Sequence, residues 1–208
     1  MKTQISQARN GKDLYRVAYS YERRLKKMEE ELKFLKNLLD HDELTGLWNR
    51  RVFDSALMEA INSKNKERKD FSILILDLNH FGELNKKHGH LYGNNKLIEF
   101  AANLNEVVRN TDIVSRFGGD EFAVLLRNVN LVEVINIIYR LIDKSAISFS
   151  GGVYWSYVDN LFADHKDIFN CADEVLRRIK KERDTLNKQT IGKFLNENKF
   201  GVQFGIYA

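Results

Sequence analysis

The sequence predicts an α+β domain, a split βαβ sheet with its helices, preceded by an N-terminal coiled-coil helix. Three observations carry that expectation: an apolar repeat of coiled-coil spacing within residues 14–39, an uninterrupted apolar run at 71–78, and alternating strand-like and helix-like patterns after it. With 208 residues and 43% hydrophobic content, the chain has enough apolar material for one ordinary domain plus an appendage.

Leu14, Ala18, Tyr21, Leu25, Met28, Leu32, Leu35 and Leu39 follow the a/d spacing of a left-handed coiled coil, with charged runs between them. So narrow a stripe suits a parallel homodimer better than a helix packed on its own domain, whose apolar face is broader. FSILILDL, residues 71–78, reads as a central strand with Asp77 as its only charge. FGELNKKHGHLYGNN is then broken by glycines, and helical spacing resumes through Leu97, Ile98, Ala101, Leu104 and Val108. Residues 112–116 and 122–126 form a hairpin about Gly118-Gly119. A helix over 131–143, a strand over 146–154 and a helix over 167–183 complete the order β-α-β-β-α-β-α. That order is the ferredoxin-like split βαβ, with helices expected on one face of a mainly antiparallel sheet. The alternation KFGVQFGIY within 184–208 reads as an edge strand or a loosely packed tail.

Charge and composition narrow the function classes. Residues 1–41 hold 10 Lys or Arg against 6 Asp or Glu, whereas the remaining residues hold 23 of each, so the net +4 belongs to the N-terminal segment. A globular part without basic bias is not expected to bind nucleic acid by counterion release. No run approaches the roughly 20 apolar residues of a membrane span, and the start lacks the apolar core of a signal peptide, so no transmembrane segment and a cytoplasmic location are expected. Cys171, the single cysteine, has no intrachain disulfide partner and reads as a small apolar residue.

The chemistry gathers around SRFGGDEFAVLL, residues 115–126. Alone, this stretch is a common hairpin turn with solvated acids. In a split βαβ sheet, however, the first strand and the hairpin are neighbours, so Asp77, Asp120 and Glu121 can converge at one end. Three acids repel unless a cation compensates, and oxygen ligands of this kind suit Mg²⁺, which takes one or two carboxylates together with substrate phosphates. Gly118 and Gly119 leave backbone N–H groups open to an anion. His80, His88 and His90 lack the cysteine or helical His-x3-His companion of a zinc site, so no zinc site is expected there.

These residues carry a resemblance. RFGGDEFAVLL at 116–126 resembles the signature of the GGDEF family of diguanylate cyclases, DELTGLWNRRVF at 42–53 its entry motif, LILDLNHF at 74–81 its first-strand motif, and NKKHGHLYGN at 85–94 its guanine-binding segment. SFSGGVY at 148–154 and Ala172-Asp173 before Lys180 are similar to it in order and spacing. The resemblance implies a palm-type, nucleotidyl-cyclase-like fold and a homodimer in which each protomer holds one GTP, giving cyclic di-GMP and two pyrophosphates. The resemblance runs from about Asp42 to about Lys180, so with the a/d stripe the expected division is a coiled-coil dimerisation helix over 1–41, a catalytic domain over 42–183 and a C-terminal extension of unassigned role over 184–208. By position, Asp77, Asp120 and the carbonyl of Leu78 would hold Mg²⁺ or Mn²⁺, with Glu121 completing the catalytic acids. Asn85, Asn94, Phe81, Gly118, Gly119, Lys180 and Arg183 would bind substrate. Arg109 and Asp112 match the family's RxxD site for inhibitory product.

Three positions depart from the family pattern. Asn94 stands where an aspartate is usual, and losing a charge-assisted hydrogen bond costs ~1.5–3 kcal/mol, about tenfold to a hundredfold in affinity. Gly82 replaces a phosphate-contacting lysine, and Asp184 falls where an arginine is usual, with Arg183 one residue early. The departures leave two alternatives to a GTP-specific cyclase: a relaxed-specificity cyclic dinucleotide synthase accepting ATP as well, and a catalytically weak domain acting as a receptor for cyclic di-GMP or GTP.

Overall fold

A computed structural model of the chain describes residues 11–67, 70–156, 165–182, 190–191, 196–198 and 201–207. Helix α1, Gly11–Asp40, belongs to a unit that ends at His41, and a second compact unit begins at Asp42. Considered by itself, α1 is a continuous 30-residue helix whose stripe residues Leu14, Leu25, Met28, Leu32, Leu35 and Leu39 are all exposed. Among the described residues no helix is long and apolar enough to cross a membrane.

The second unit begins with β1 (Trp48–Asn49) and α2 (Arg50–Glu67), then β2 (Phe71–Leu78), α3 (Phe81–His88) and α4 (His90–Val107). The hairpin is β3 (Ile113–Gly118) and β4 (Glu121–Arg127), followed by α5 (Leu131–Lys144), β5 (Phe149–Trp155) and α6 (His165–Glu182). Three further strands are β6 (Thr190–Ile191), β7 (Asn196–Asn198) and β8 (Gly201–Tyr207). The sheet runs β1-β3-β4-β2-β5-β8-β6, with β7 also paired to β8. Only β1 with β3 is parallel; the other described pairs are antiparallel.

The expected α+β split βαβ is therefore present, with three differences. First, helices cover both faces of the sheet. Leu74, Leu76, Phe122 and Val124 pack with Phe100 and Leu104 of α4 and Ile138 of α5, while Ile73, Ile75, Ala123 and Leu125 pack with Phe53 and Leu57 of α2 and Ala172 and Leu176 of α6. The physical reason lies in β2, all eight of whose residues are buried: a strand with no polar face must be covered on both sides. Second, the glycine-broken segment is two helices separated at Gly89, and Gly93 lies inside α4. Third, the described part of 184–208 is sheet, since β8 pairs with β5 from Ser150↔Tyr207 to Trp155↔Val202 and buries Ile206.

Gly152 determines how closely α6 approaches the sheet. A Cβ there would lie 1.8 Å from the carbonyl oxygen of Ala172, so the missing side chain lets the α6 backbone settle directly on β5. The last turns of α6 thereby hang over the end of β2.

Candidate functional site

Asp77 stands one residue from the end of β2, in register with Glu121 of β4 on one side and Ser150 of β5 on the other. Cross-strand partners share a face, so the two carboxylates look toward the α6 side of the sheet. Asp120 occupies the turn, and its carbonyl accepts the backbone N–H of Leu78 at 3.2 Å, tying the turn to the end of β2. Asp77 is only 7% exposed, and its carboxylate is held by the Lys180 ammonium at 2.6 Å. Burial pushes the Asp77 carboxyl above its ordinary pKa; Lys180 opposes the rise, and the charges of Asp120 and Glu121 add to it.

The turn is shaped by two glycines in conformations that side-chain-bearing residues rarely adopt, Gly118 at φ 145° and Gly119 at φ 55°. No atom lies within 4 Å of where either Cβ would be, so the glycines leave open space beside Asp120. Arg116 fixes the turn from below: its Nε and Nη2 donate to the Gly119 carbonyl at 3.0 and 2.7 Å. Its Nη1 donates to both oxygens of Asp42 at 3.0 and 3.2 Å. Asp42 also accepts from the backbone N–H and hydroxyl of Thr45, at 2.9 and 2.6 Å.

A depression of about 590 Å³ joins these groups; Asp77, Leu78, Phe81, Gly82, Asp120, Glu121 and Lys180 line it. Lys86 lines it too, one helical turn after Gly82 on α3, and so returns a positive charge to the wall where Gly82 lacks one. Sequence reading passed over Lys86; its i+4 spacing from Gly82 was the available signal. Glu121 and Lys180 also line an adjoining depression of about 520 Å³ with Arg50, Phe117 and Arg177. There the Arg50 guanidinium lies over the Phe117 and Phe169 rings, 5.1 and 5.5 Å from their centroids.

Asn85 lies on α3 against Gly93, where a Cβ would come within 1.9 Å of its Oδ1. That oxygen is buried and has no hydrogen-bond partner, an acceptor that a ligand N–H would satisfy. Asn94 follows Gly93 and is exposed. Phe81 is buried in the core at the start of α3, a residue after His80, which takes a left-handed φ of 54°. Arg183 and Asp184 lie outside the described residues.

Arg109 and Asp112 meet, but through the backbone. The buried Asp112 carboxylate accepts the backbone N–H groups of Arg109 at 2.9 Å and Arg127 at 3.1 Å, closing the turn that leads into β3. The Arg109 guanidinium instead pairs with Glu133 and remains about half exposed. Glu133 also accepts from the backbone N–H of Asn130 in the capping box that starts α5.

Among the described residues no group of three or more His, Cys, Asp or Glu is close enough to hold a metal, but the donors that Asp77, Asp120 and Glu121 bring to this depression are all oxygen. That suits a hard divalent cation that completes its coordination with water and substrate phosphates. The buried Asp77 carboxylate, already drawn to a positive group, fits the same reading.

Residues 39–186 match the family described as diguanylate cyclase, GGDEF domain. Among curated relatives, diguanylate cyclase TpbB of Pseudomonas aeruginosa is 33% identical over 135 residues, covering 60% of this chain and 31% of that protein. The probable diguanylate cyclase DgcC of Escherichia coli is 30% identical over 115 residues, covering 55% and 31%. The chain thus spans about a third of the length of these relatives. The solved coiled coil and GGDEF domain of DgcB from Caulobacter crescentus, in complex with c-di-GMP, shares the fold at TM-score 0.73 and 20% identity, over 81% of this chain and 94% of that one. Diguanylate cyclase SiaD of P. aeruginosa, solved with its activator SiaC, aligns at TM-score 0.66 and 26% identity, over 82% and 69%.

Proposed function

The chain belongs to the GGDEF family of diguanylate cyclases, and we propose that it condenses two molecules of GTP into cyclic di-GMP and two pyrophosphates. One observation carries the proposal: Asp77, Asp120, Glu121 and Lys180 line a single depression at the end of the central strand.

In this reading each catalytic domain holds one GTP, and the 3′-hydroxyl of each attacks the α-phosphorus of the other. A new phosphate ester bond forms, the α–β anhydride bond breaks, and pyrophosphate leaves with the bonding pair. Asp77, Asp120 and the Leu78 carbonyl would hold a divalent cation, Mg²⁺ or Mn²⁺, which when bound neutralises charge on the reacting phosphate oxygens. Glu121, exposed at the rim, takes the hydroxyl proton directly or through water. Lys86 and Lys180 meet the phosphates, and the open Gly118-Gly119 turn admits their oxygens to the backbone. The unpartnered Asn85 acceptor receives the guanine edge, with Asn94 as its second contact.

Dimerisation belongs to the same proposal because one protomer holds half of the reactants. The uncovered stripe of α1, with Leu25 59% and Leu32 64% exposed, supports a parallel coiled coil with a second copy. Arg109 serves as the contact for inhibitory cyclic di-GMP, with Asp112 holding its turn. A GTP substrate places the catalytic domain in the cytoplasm.

Purified protein given GTP and Mg²⁺ should form cyclic di-GMP detectable by mass spectrometry, and an Asp120→Ala variant should form none. Absence of product at saturating GTP, with cyclic di-GMP still bound, would replace the cyclase with the receptor alternative.

A further inference from the structure

We propose that Lys180 is a stand-in cation, neutralising Asp77 while the site is free of ligand and giving the carboxylate up to a divalent cation when nucleotide enters. This rests on the reading of Asp77 as a metal ligand. The ammonium sits 2.6 Å from Asp77 Oδ2, and the Asp77 side chain is 10% exposed. Its surroundings hold two further acids, Glu121 directly across the strand pair and Asp120 in the adjoining turn. An isolated carboxylate in that place would lack both water and a counter-charge, and Lys180 supplies the second.

An ammonium so close to Oδ2 competes with a metal for that oxygen. A divalent cation coordinates carboxylate oxygen at about 2.1 Å, and two cations on one oxygen repel. Their repulsion across one small carboxylate favours the departure of the lysine. Lys180 can depart without any movement of backbone, because its side chain is one-third exposed and it lines both depressions. The helix that carries it lies close on β5, where a Cβ on Gly152 would come 1.8 Å from the Ala172 carbonyl oxygen. The adjoining depression holds Arg50 and Arg177 beside Glu121 and Asp173, with Arg177 paired to Asp173, and the phosphates of an entering nucleotide would draw the lysine toward it. The exchange is thus a side-chain rotation from an acid to an anion, coupled to arrival of the metal that replaces it.

The consequence is a pair of effects with opposite signs. In nucleotide-free protein, Lys180→Met should bind Mn²⁺ about tenfold more tightly than the natural chain, equivalent to about 1.4 kcal/mol of removed competition. The same variant should bind GTP more weakly, and its melting temperature without divalent cation should fall, then recover with Mn²⁺. Lys180→Arg, which keeps the charge, should bind Mn²⁺ as the natural chain does. Mn²⁺ titration followed by electron paramagnetic resonance reads the first effect, and calorimetry the second. Equal or weaker Mn²⁺ binding by Lys180→Met overturns the stand-in role while leaving Asp77 as a ligand, provided Asp77→Asn abolishes binding. If Asp77→Asn binds Mn²⁺ as well as the natural chain, the metal reading and the stand-in role fall together.

Discussion

Arg116 spans two parts of the second unit that are 74 residues apart in sequence, holding both oxygens of Asp42 with one nitrogen and the carbonyl of Gly119 with two others. The first residue of the unit is thereby coupled to the turn that presents Asp120. Arg116→Lys keeps the charge but cannot make this fork of bonds. Turnover should fall about tenfold or more, as expected for losing one to two hydrogen bonds to charged groups, while the melting temperature changes by only a few degrees. Equal losses in both would mean that the contact serves stability alone.

Asp77 gives the nucleotide-free protein a dependence on pH whose sign follows from its raised pKa. Because the folded value lies above the unfolded one near 3.9, proton binding favours the folded state. This stabilisation is complete below the unfolded value and disappears as pH rises through the folded value. Asp77→Asn removes the titration, so its melting temperature at neutral pH should match or exceed that of the natural chain while cyclase activity is lost. Thermal melts in chelator between pH 4 and 8 test it, and a large loss of stability in Asp77→Asn at pH 7 would contradict it.

The placement of Asp77, Asp120 and Glu121 beside one depression was legible in the sequence because the strand and hairpin patterns set them at one end of the sheet, as was a glycine turn with two positive φ angles. Relations that depend on space were not. Gly93 reads as a helix breaker, yet it sits within a helix, at a position where any side chain would collide with Asn85. The apolar run of β2 announced burial but not that helices would cover both of its faces, which required α2 to be recognised as a helix behind the DELTGLWNRRVF motif. Lys86 reads as a solvated charge until α3 places it in the depression beside Gly82.

Gly152 supplies a test of how α6 is seated. Gly152→Ala places a carbon 1.8 Å from the Ala172 carbonyl, with the Leu176 nitrogen 2.8 Å away, both backbone atoms that cannot rotate aside. The helix must lift, and overpacking of this kind costs about 1–3 kcal/mol. Urea unfolding should show that loss, and Lys180 should lose its register with Asp77. An unchanged midpoint would mean that α6 is held less closely than the structure gives.

Glu133 pairs with Nη2 of the Arg109 guanidinium in the free chain, so a phosphate drawn to Arg109 competes with a carboxylate. Glu133→Gln keeps a capping-box residue at the start of α5 and removes the competing charge. Cyclic di-GMP should then inhibit at several-fold lower concentration, whereas Arg109→Ala should be insensitive to it. Unchanged inhibition in Glu133→Gln would show that the ion pair does not compete with product.

If the proposed guanine contact holds, Asn94 sets the choice of base. Its side chain is exposed beside Gly93 and offers one acceptor and one donor, where a carboxylate would accept from both the N1–H and the exocyclic amine of guanine. Adenine presents an acceptor at N1 and a donor at N6, a pattern that an amide matches in full, whereas it meets guanine's two donors with a single acceptor. With equal GTP and ATP, the natural chain should therefore give mixed as well as all-guanine products. Asn94→Asp should restore a charge-assisted pair of bonds worth about 1.5–3 kcal/mol, raising GTP affinity about tenfold to a hundredfold and shifting products toward cyclic di-GMP. Product ratios by mass spectrometry and KM for GTP measure the two effects separately. If the substitution moves neither, Asn94 does not touch the base, and Asn85 with its unpartnered acceptor is left to recognise it alone.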